Sequence, residues 1–142
     1  MNATTARSGK TRAMVFEGPG KPLELREFTR HTPGPGEILV QVTCTTLCSS
    51  DLHSYEGHRE TLCPTILGHE IVGRVAELRP GDPSLDLPPD LIRGVEFLRA
   101  AQSEYPFAEL VRKRFPLVEA DAAFKYALAT KAPRVAVVPT NA

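Results

Sequence analysis

The sequence predicts an α+β fold, a small and mainly antiparallel β-domain carrying a few helices. Three observations predict it. Residues 38–48 alternate with the period of two that a strand imposes. Strong turn signals, Gly18-Pro19-Gly20 and Pro33-Gly34-Pro35-Gly36, cut the first half into short segments. Two later stretches, one from about Asp90 and one from about Glu119 to Thr130, place apolar residues at helical spacing. The 142 residues suffice for one domain with a real core, since domains usually run to about 100–150 residues.

The first eleven residues lack the apolar core of a secretory signal and are expected to form a disordered tail. Arg12-Ala13-Met14-Val15-Phe16 is a short apolar strand, closed by Gly18-Pro19-Gly20. Leu23, Leu25 and Glu27 then alternate with Glu24 and Arg26, a second strand returning from that turn. In the long strand that follows, Ile38, Val40, Val42, Cys44, Thr46 and Cys48 share one face, and Leu39, Gln41, Thr43 and Thr45 the other. Cys48 therefore arrives at a strand end, where its side chain is aimed into a cleft. Ser49 to Glu56 reads as a short helix because Ser49, Ser50 and Asp51 are good caps. A loop with Gly57 and Pro64 leads into Ile66–Leu78, a strand pair or one bent strand, where Gly68 and Gly73 mark bulges or close backbone approaches.

Arg79 to Asp90 holds four prolines in twelve residues, the signature of a linker. A helix starts at about Asp90 with Leu91, Val95 and Leu98 on one stripe, and stops before Tyr105-Pro106. A strand candidate lies around Leu110-Val111, followed by the basic trio Arg112-Lys113-Arg114. The second helix carries Phe124 and Leu128 at i, i+4 with Ala120, Ala123 and Ala127. Arg134-Val135-Ala136-Val137-Val138 is a closing strand.

Charge and composition remove several classes of function. Seventeen basic and seventeen acidic residues cancel, so no global field draws nucleic acid or an anionic membrane. No apolar run approaches the ~20 residues of a membrane span. Three cysteines, an odd number, argue against a disulfide framework and for a reducing, cytoplasmic setting. The chemistry is concentrated between Cys48 and Glu70. A thiol, the three imidazoles of His53, His58 and His69, several carboxylates and a hydroxyl pair lie in this stretch. Those are the donor types a zinc site needs. Cys44 and Cys63 read more readily as small buried apolar residues than as ligands. His31 and His58 read as solvated loop residues, and the basic trio as a solvated face.

Four runs carry a resemblance: Met14-Val15-Phe16-Glu17-Gly18-Pro19-Gly20, the turn and strand from Pro33 to Val40, Cys48-x-Ser50-Asp51-x-His53, and Gly68-His69-Glu70. Together they resemble the GroES-like catalytic domain of the medium-chain zinc-dependent alcohol dehydrogenases, nearest the branch associated with phosphonate catabolism. Asp90 to Pro139 resembles the family segment that returns to the catalytic domain after the nucleotide-binding domain. The resemblance implies a GroES-like β-barrel over residues 12–142, built from segments 12–79 and 90–139 joined by the proline-rich linker 79–89. It also implies zinc held by Cys48 and His69, Asp51 orienting His69, and Ser50 and His53 relaying a proton to solvent.

The family's Rossmann domain is missing from this expectation. The chain has no G-x-G-x-x-G, and no βαβ unit of roughly 30 residues is foreseen, so no NAD(P) is expected. The family's third zinc ligand is absent as well. Glu70 is the natural substitute, with Cys44 and Cys63 as weaker reserves. Adjacent residues on a regular strand point to opposite faces, so His69 and Glu70 converge only if the backbone bends, as Gly68 permits. Three functions follow: zinc Lewis-acid chemistry without redox on a small polar substrate; a dehydrogenase fragment inactive alone or completed in trans; or a metal-free binding module. Loss of the covering domain would expose apolar surface, which predicts a homodimer.

Overall fold

The structure, a computed structural model, describes residues 9–78 and 89–139. Most of the expected tail and nearly all of the proline-rich linker lie outside the described residues. The elements run β1 (Lys10–Val15), β2 (Glu24–Thr29), β3 (Ile38–Thr46), α1 (Ser49–Glu56), β4 (Glu70–Leu78), α2 (Pro89–Ala101), β5 (Val111–Pro116), α3 (Ala120–Thr130) and β6 (Arg134–Val138). Short 3-10 turns, Phe107–Leu110 and Leu117–Glu119, bracket β5. The α+β class holds. β1 already begins at Lys10, two residues ahead of the expected start.

β1 and β2 form a two-stranded antiparallel sheet around the Gly18-Pro19-Gly20 turn. The other four strands make one sheet in the order β4-β3-β6-β5. Within it β3 is antiparallel to both β4 and β6, whereas β5 runs parallel to β6. The connection from β5 to β6 is α3, so residues 111–138 form a βαβ unit, which the sequence reading had not foreseen. Charged Arg112, Lys113 and Arg114 stand exposed along β5 and hide the strand's character, while Phe115 at its end is buried. The turn between β5 and α3 contains no glycine, so this unit carries no phosphate-cradling loop.

The core lies where α3, β6, the end of β5 and the β1–β2 turn meet. Phe16, Phe124, Val135 and Ala123 are almost completely buried there, with Met14, Leu23, Leu47, Phe115, Ala127 and Val137 around them. The α1 helix joins this core through Tyr55, whose ring stacks on Phe124 with centroids 4.7 Å apart. The Tyr55 hydroxyl donates to Asp121 Oδ1 at 2.7 Å, tying α1 to α3. Phe16 exchanges two backbone hydrogen bonds with Thr65, at 2.8 and 3.1 Å, which fixes the loop after α1 against β1.

The β3–β4 hairpin behaves differently from its alternating sequence. Two register shifts interrupt it, between Leu39 and Val40 and between Val42 and Cys44. Gly73 sits opposite Val42, and a Cβ there would come within 2.4 Å of Val40 Cγ1, so its close-approach reading is right. Val40, Val42, Ile71, Val72 and Val75 are nevertheless all exposed. The expected stripe of α2 is likewise open: Leu91, Val95 and Leu98 are exposed, as are Ile92 and Phe97, and Ala101 is its buried residue. Amphipathic spacing identified the helix correctly, but nothing among the described residues covers its apolar face. No helix among the described residues is long and apolar enough to cross a membrane.

Candidate metal centre

The site is organised by a buried carboxylate. β3 ends at Thr46, Leu47 is anchored by its N–H to the Val135 carbonyl at 2.9 Å, and Cys48 becomes the N-cap of α1 in extended conformation. Asp51 occupies the third helical position and reaches back so that its Oδ2 accepts the Cys48 N–H at 2.9 Å. This is the reciprocal contact of a capping box. Its other oxygen faces the loop that precedes β4. Oδ1 accepts the Gly68 N–H at 3.0 Å and lies 3.2 Å from His69 Nδ1. A carboxylate can only accept, so His69 donates from Nδ1 and keeps Nε2 free for a metal. Gly68 makes this turn with φ of +103°, a left-handed conformation suited to glycine.

Charge follows geometry. The Cys48 thiol is held below its ordinary pKa, first by the backbone N–H of Ser50, then by the Ser50 hydroxyl, with His69 adding to both. Burial and the negative charge of Glu70 oppose this lowering. The His69 imidazole is raised, chiefly by the Asp51 charge and next by its hydrogen bond with Cys48. The two shifts run in opposite senses: the thiol gives up its proton more readily and the imidazole holds its proton more firmly than either free group. The site opens on a cleft of about 350 Å³ whose lining includes Ser50, Arg59, Thr61, Leu67 and His69.

The expected residues are only partly brought together. Cys48, Ser50, Asp51 and His69 form one cluster. Glu70, the expected third donor, is taken by β6: Arg134 Nε lies 3.1 Å from Oε2 and its NH2 group 3.2 Å from Oε1. The Thr46 hydroxyl donates to the same carboxylate. His53 is exposed and outside the cleft lining, with its ring 6.0 Å from that of His58. Among the described residues, the donor group whose ligand atoms all lie within 4.8 Å of one another is His53, Glu56 and His58. Cys44 is half-buried, whereas Cys63 is exposed rather than buried as expected; all three cysteines are free. His31 and the basic trio are exposed as expected.

Two contacts were beyond sequence reasoning. Arg134 and Glu70 lie 64 positions apart, and no local pattern links them. The pairing of His53 with His58 had a local signal in Gly57, whose left-handed φ of 81° ends α1 and folds the chain back.

A strand end and a glycine-bent loop thus present a thiol and an imidazole together, with a buried carboxylate holding the imidazole. The comparisons name the family. The alcohol dehydrogenase GroES-like domain matches residues 34–87, which contain the whole cluster. The chain is 41% identical over 78 residues to L-threonine 3-dehydrogenase of Pyrococcus horikoshii, covering 52% of this chain and 22% of that protein. It is 36% identical over 102 residues to S-(hydroxymethyl)glutathione dehydrogenase of Escherichia coli, covering 66% of this chain and 28% of the relative. It is also 41% identical over 68 residues to alcohol dehydrogenase 2 of Caenorhabditis elegans, covering 46% and 19%. Through residues 34–87 the chain carries a match to the GroES-like domain of the alcohol dehydrogenases, and the relatives it resembles are dehydrogenases by name. The matched stretch spans only 19–28% of the length of these relatives.

Proposed function

We propose that this chain is a zinc-binding GroES-like catalytic module that acts on a small polar substrate by Lewis-acid chemistry without redox: isomerisation, elimination, cyclisation or hydrolysis. The observation that supports it is the Cys48–Asp51–His69 constellation, a lowered thiol beside an imidazole held by a buried carboxylate. Cys48 Sγ and His69 Nε2 fit zinc as two of the three protein donors a catalytic site uses. Bound there, zinc would polarise a substrate oxygen and lower the pKa of a bound hydroxyl. Asp51 holds His69 in one tautomer and orientation. Ser50, whose hydroxyl helps to lower the Cys48 thiol, lines the cleft and could pass a proton into it, whereas His53 does not line it.

Glu70 is proposed as the third donor, in competition with Arg134. Zinc affinity then falls about tenfold or more in Glu70→Gln and rises in Arg134→Met, each tenfold being about 1.4 kcal/mol. Unchanged affinity in both variants would remove Glu70 from the site. A thiolate-bound zinc equivalent, lost in Cys48→Ala, with no NAD(H) binding in a fluorescence titration is the expected result for the non-redox reading. Tight NAD(H) binding by the chain would overturn it.

A second reading has its own support. The apolar faces of the β3–β4 hairpin and of α2 stand open, and β4 is an unpaired sheet edge among the described residues. Such surface suits a dehydrogenase piece completed by a nucleotide-binding element in trans, which turnover restored by a separately supplied Rossmann domain would reveal. The same surface supports a homodimer. Sedimentation that stays monomeric at high concentration would count against it. The three free cysteines fit a reducing, cytoplasmic setting.

A further inference from the structure

The C-terminal end of α1 carries a second constellation, separate from the Cys48–His69 pair. Gly57 adopts the left-handed conformation, the Gly57 N–H donates to the Ser54 carbonyl at 3.2 Å, and the His58 N–H donates to the His53 carbonyl at 2.9 Å. These two bonds are those of a Schellman motif, which folds the second residue past the helix onto the last full turn. An apolar pair commonly makes that side-chain contact. Here two imidazoles meet instead, with ring centroids 6.0 Å apart, and Glu56 stands beside them with Oε2 3.4 Å from His58 Nδ1.

We infer that His53, Glu56 and His58 form a binding site for a late first-row divalent cation such as zinc, distinct from the proposed Cys48–His69 centre. Two donors on a tetrahedral zinc, each about 2.0–2.1 Å from the metal, lie about 3.4 Å apart. The Glu56–His58 separation already has that value, and all three ligand atoms fall within 4.8 Å of one another. All three residues are exposed, so the remaining closure needs only rotation of free side chains. The backbone supplies the rest: the Schellman turn fixes His58 over His53 without any metal. Two imidazoles and one carboxylate leave at least one position for water. This donor set favours zinc, copper and nickel over magnesium and calcium, which take oxygen ligands. Occupancy would clip the end of α1 to the loop 57–65, which contributes Arg59 and Thr61 to the cleft.

The test uses cobalt as a spectroscopic stand-in and calorimetry with zinc on the full chain. A cobalt ion bound through Cys48 shows a thiolate charge-transfer band, and one bound by His53, Glu56 and His58 shows none. Wild type is expected to take up one metal equivalent without that band, whether or not a thiolate-bound equivalent accompanies it. His58→Gln and His53→Gln, both at exposed positions, are each expected to weaken the band-free equivalent about tenfold or more, or abolish it. Cys48→Ala is expected to leave that equivalent intact. Affinities should rise from cobalt through nickel to copper, with zinc below copper. Absence of a band-free equivalent in wild type, or its retention at full affinity in His58→Gln, overturns the inference. Loss of the thiolate band alone would bear on the Cys48–His69 centre and leave this one standing.

Discussion

Replacing Asp51 by alanine tests the hub of the candidate site most directly. Asp51 is 4% exposed and accepts from the Cys48 N–H, the Gly68 N–H and His69 Nδ1 at 2.9, 3.0 and 3.2 Å. Alanine leaves all three donors without their acceptor. His69 is exposed and can turn to water, so its loss costs little stability. The two backbone donors are part-buried, and each stranded donor costs about 1–3 kcal/mol, giving roughly 2–6 kcal/mol together. Against a total stability of about 5–15 kcal/mol this is a large share. For a domain of this size it lowers the melting temperature by roughly 6–18 °C. Freed of its carboxylate, His69 should also lose about 10- to 100-fold in zinc affinity. Asp51→Asn keeps one acceptor oxygen and should fall between wild type and Asp51→Ala. Urea and thermal unfolding of the metal-free protein measure the first effect, and competition against a chromophoric chelator the second. Unfolding within about 0.5 kcal/mol of wild type, the range of an ordinary surface substitution, would refute the reasoning.

Three further outcomes follow from other contacts. Cys48 should be alkylated by iodoacetamide with a midpoint below the ~8.5 of a free thiol, and Ser50→Ala should move that midpoint up while the Ser50 N–H keeps part of the effect. A wild-type midpoint at or above the free-thiol value would be inconsistent with the geometry. At Asp121, burial pushes the carboxyl up, but Lys125, Tyr55 and the Leu23 N–H together win and hold it low, while burial and Asp121 push Tyr55 up to about 12. The Asp121 contribution is therefore present above its unfolded pKa of about 3.9 and lost as pH falls through its lower folded value; that of Tyr55 is present below about 10 and lost as pH rises toward 12. Tyr55→Phe should cost roughly 1–2 kcal/mol at neutral pH and flatten the acid limb of a urea-midpoint profile. Gly73→Ala should destabilise the hairpin by about 1–3 kcal/mol, since the new Cβ would meet Val40 Cγ1 at 2.4 Å and the Gln41 carbonyl at 2.5 Å, and circular-dichroism melts would register no change if that contact relaxes freely.

Much of the element order was legible because its signals are local. The Pro-Gly turns, the alternation after Gly36, the caps around Ser49 and the alanine-rich repeat of α3 each depend on residues a few positions apart. What escaped depends on distant partners. The parallel pairing of β5 with β6 is set by α3 packing across them, and the charged run Arg112-Lys113-Arg114 gave no apolar alternation to announce it. The stripe of Leu91, Val95 and Leu98 identified a helix face but could not say what covers it. Within the site, Asp51 and His69 were legible as a pair because the family motif carries both. Glu70 was not, because the Arg134 that holds it arrives from the last strand.

The division of labour between Asp51 and Arg134 explains why Cys48 and His69 are held together while Glu70 is held by the sheet. Asp51 sits inside the segment it organises, so one helical turn and one glycine bend suffice to bring Cys48 and His69 together. Glu70 begins β4, and the ladder that places it also runs along β3, whose other neighbour β6 carries Arg134. The same strand pairing that delivers the carboxylate therefore delivers its competitor. Its charge still reaches Cys48, where it works against the lowered thiol pKa. A cation bound between Cys48 and His69 would reverse the sign of that interaction and favour Glu70 turning inward, at the cost of the Arg134 pair. On the proposed zinc reading, the ion pair that serves the sheet competes with the ligand set that would serve the metal. The opposite expected responses of Glu70→Gln and Arg134→Met are the measure of that balance.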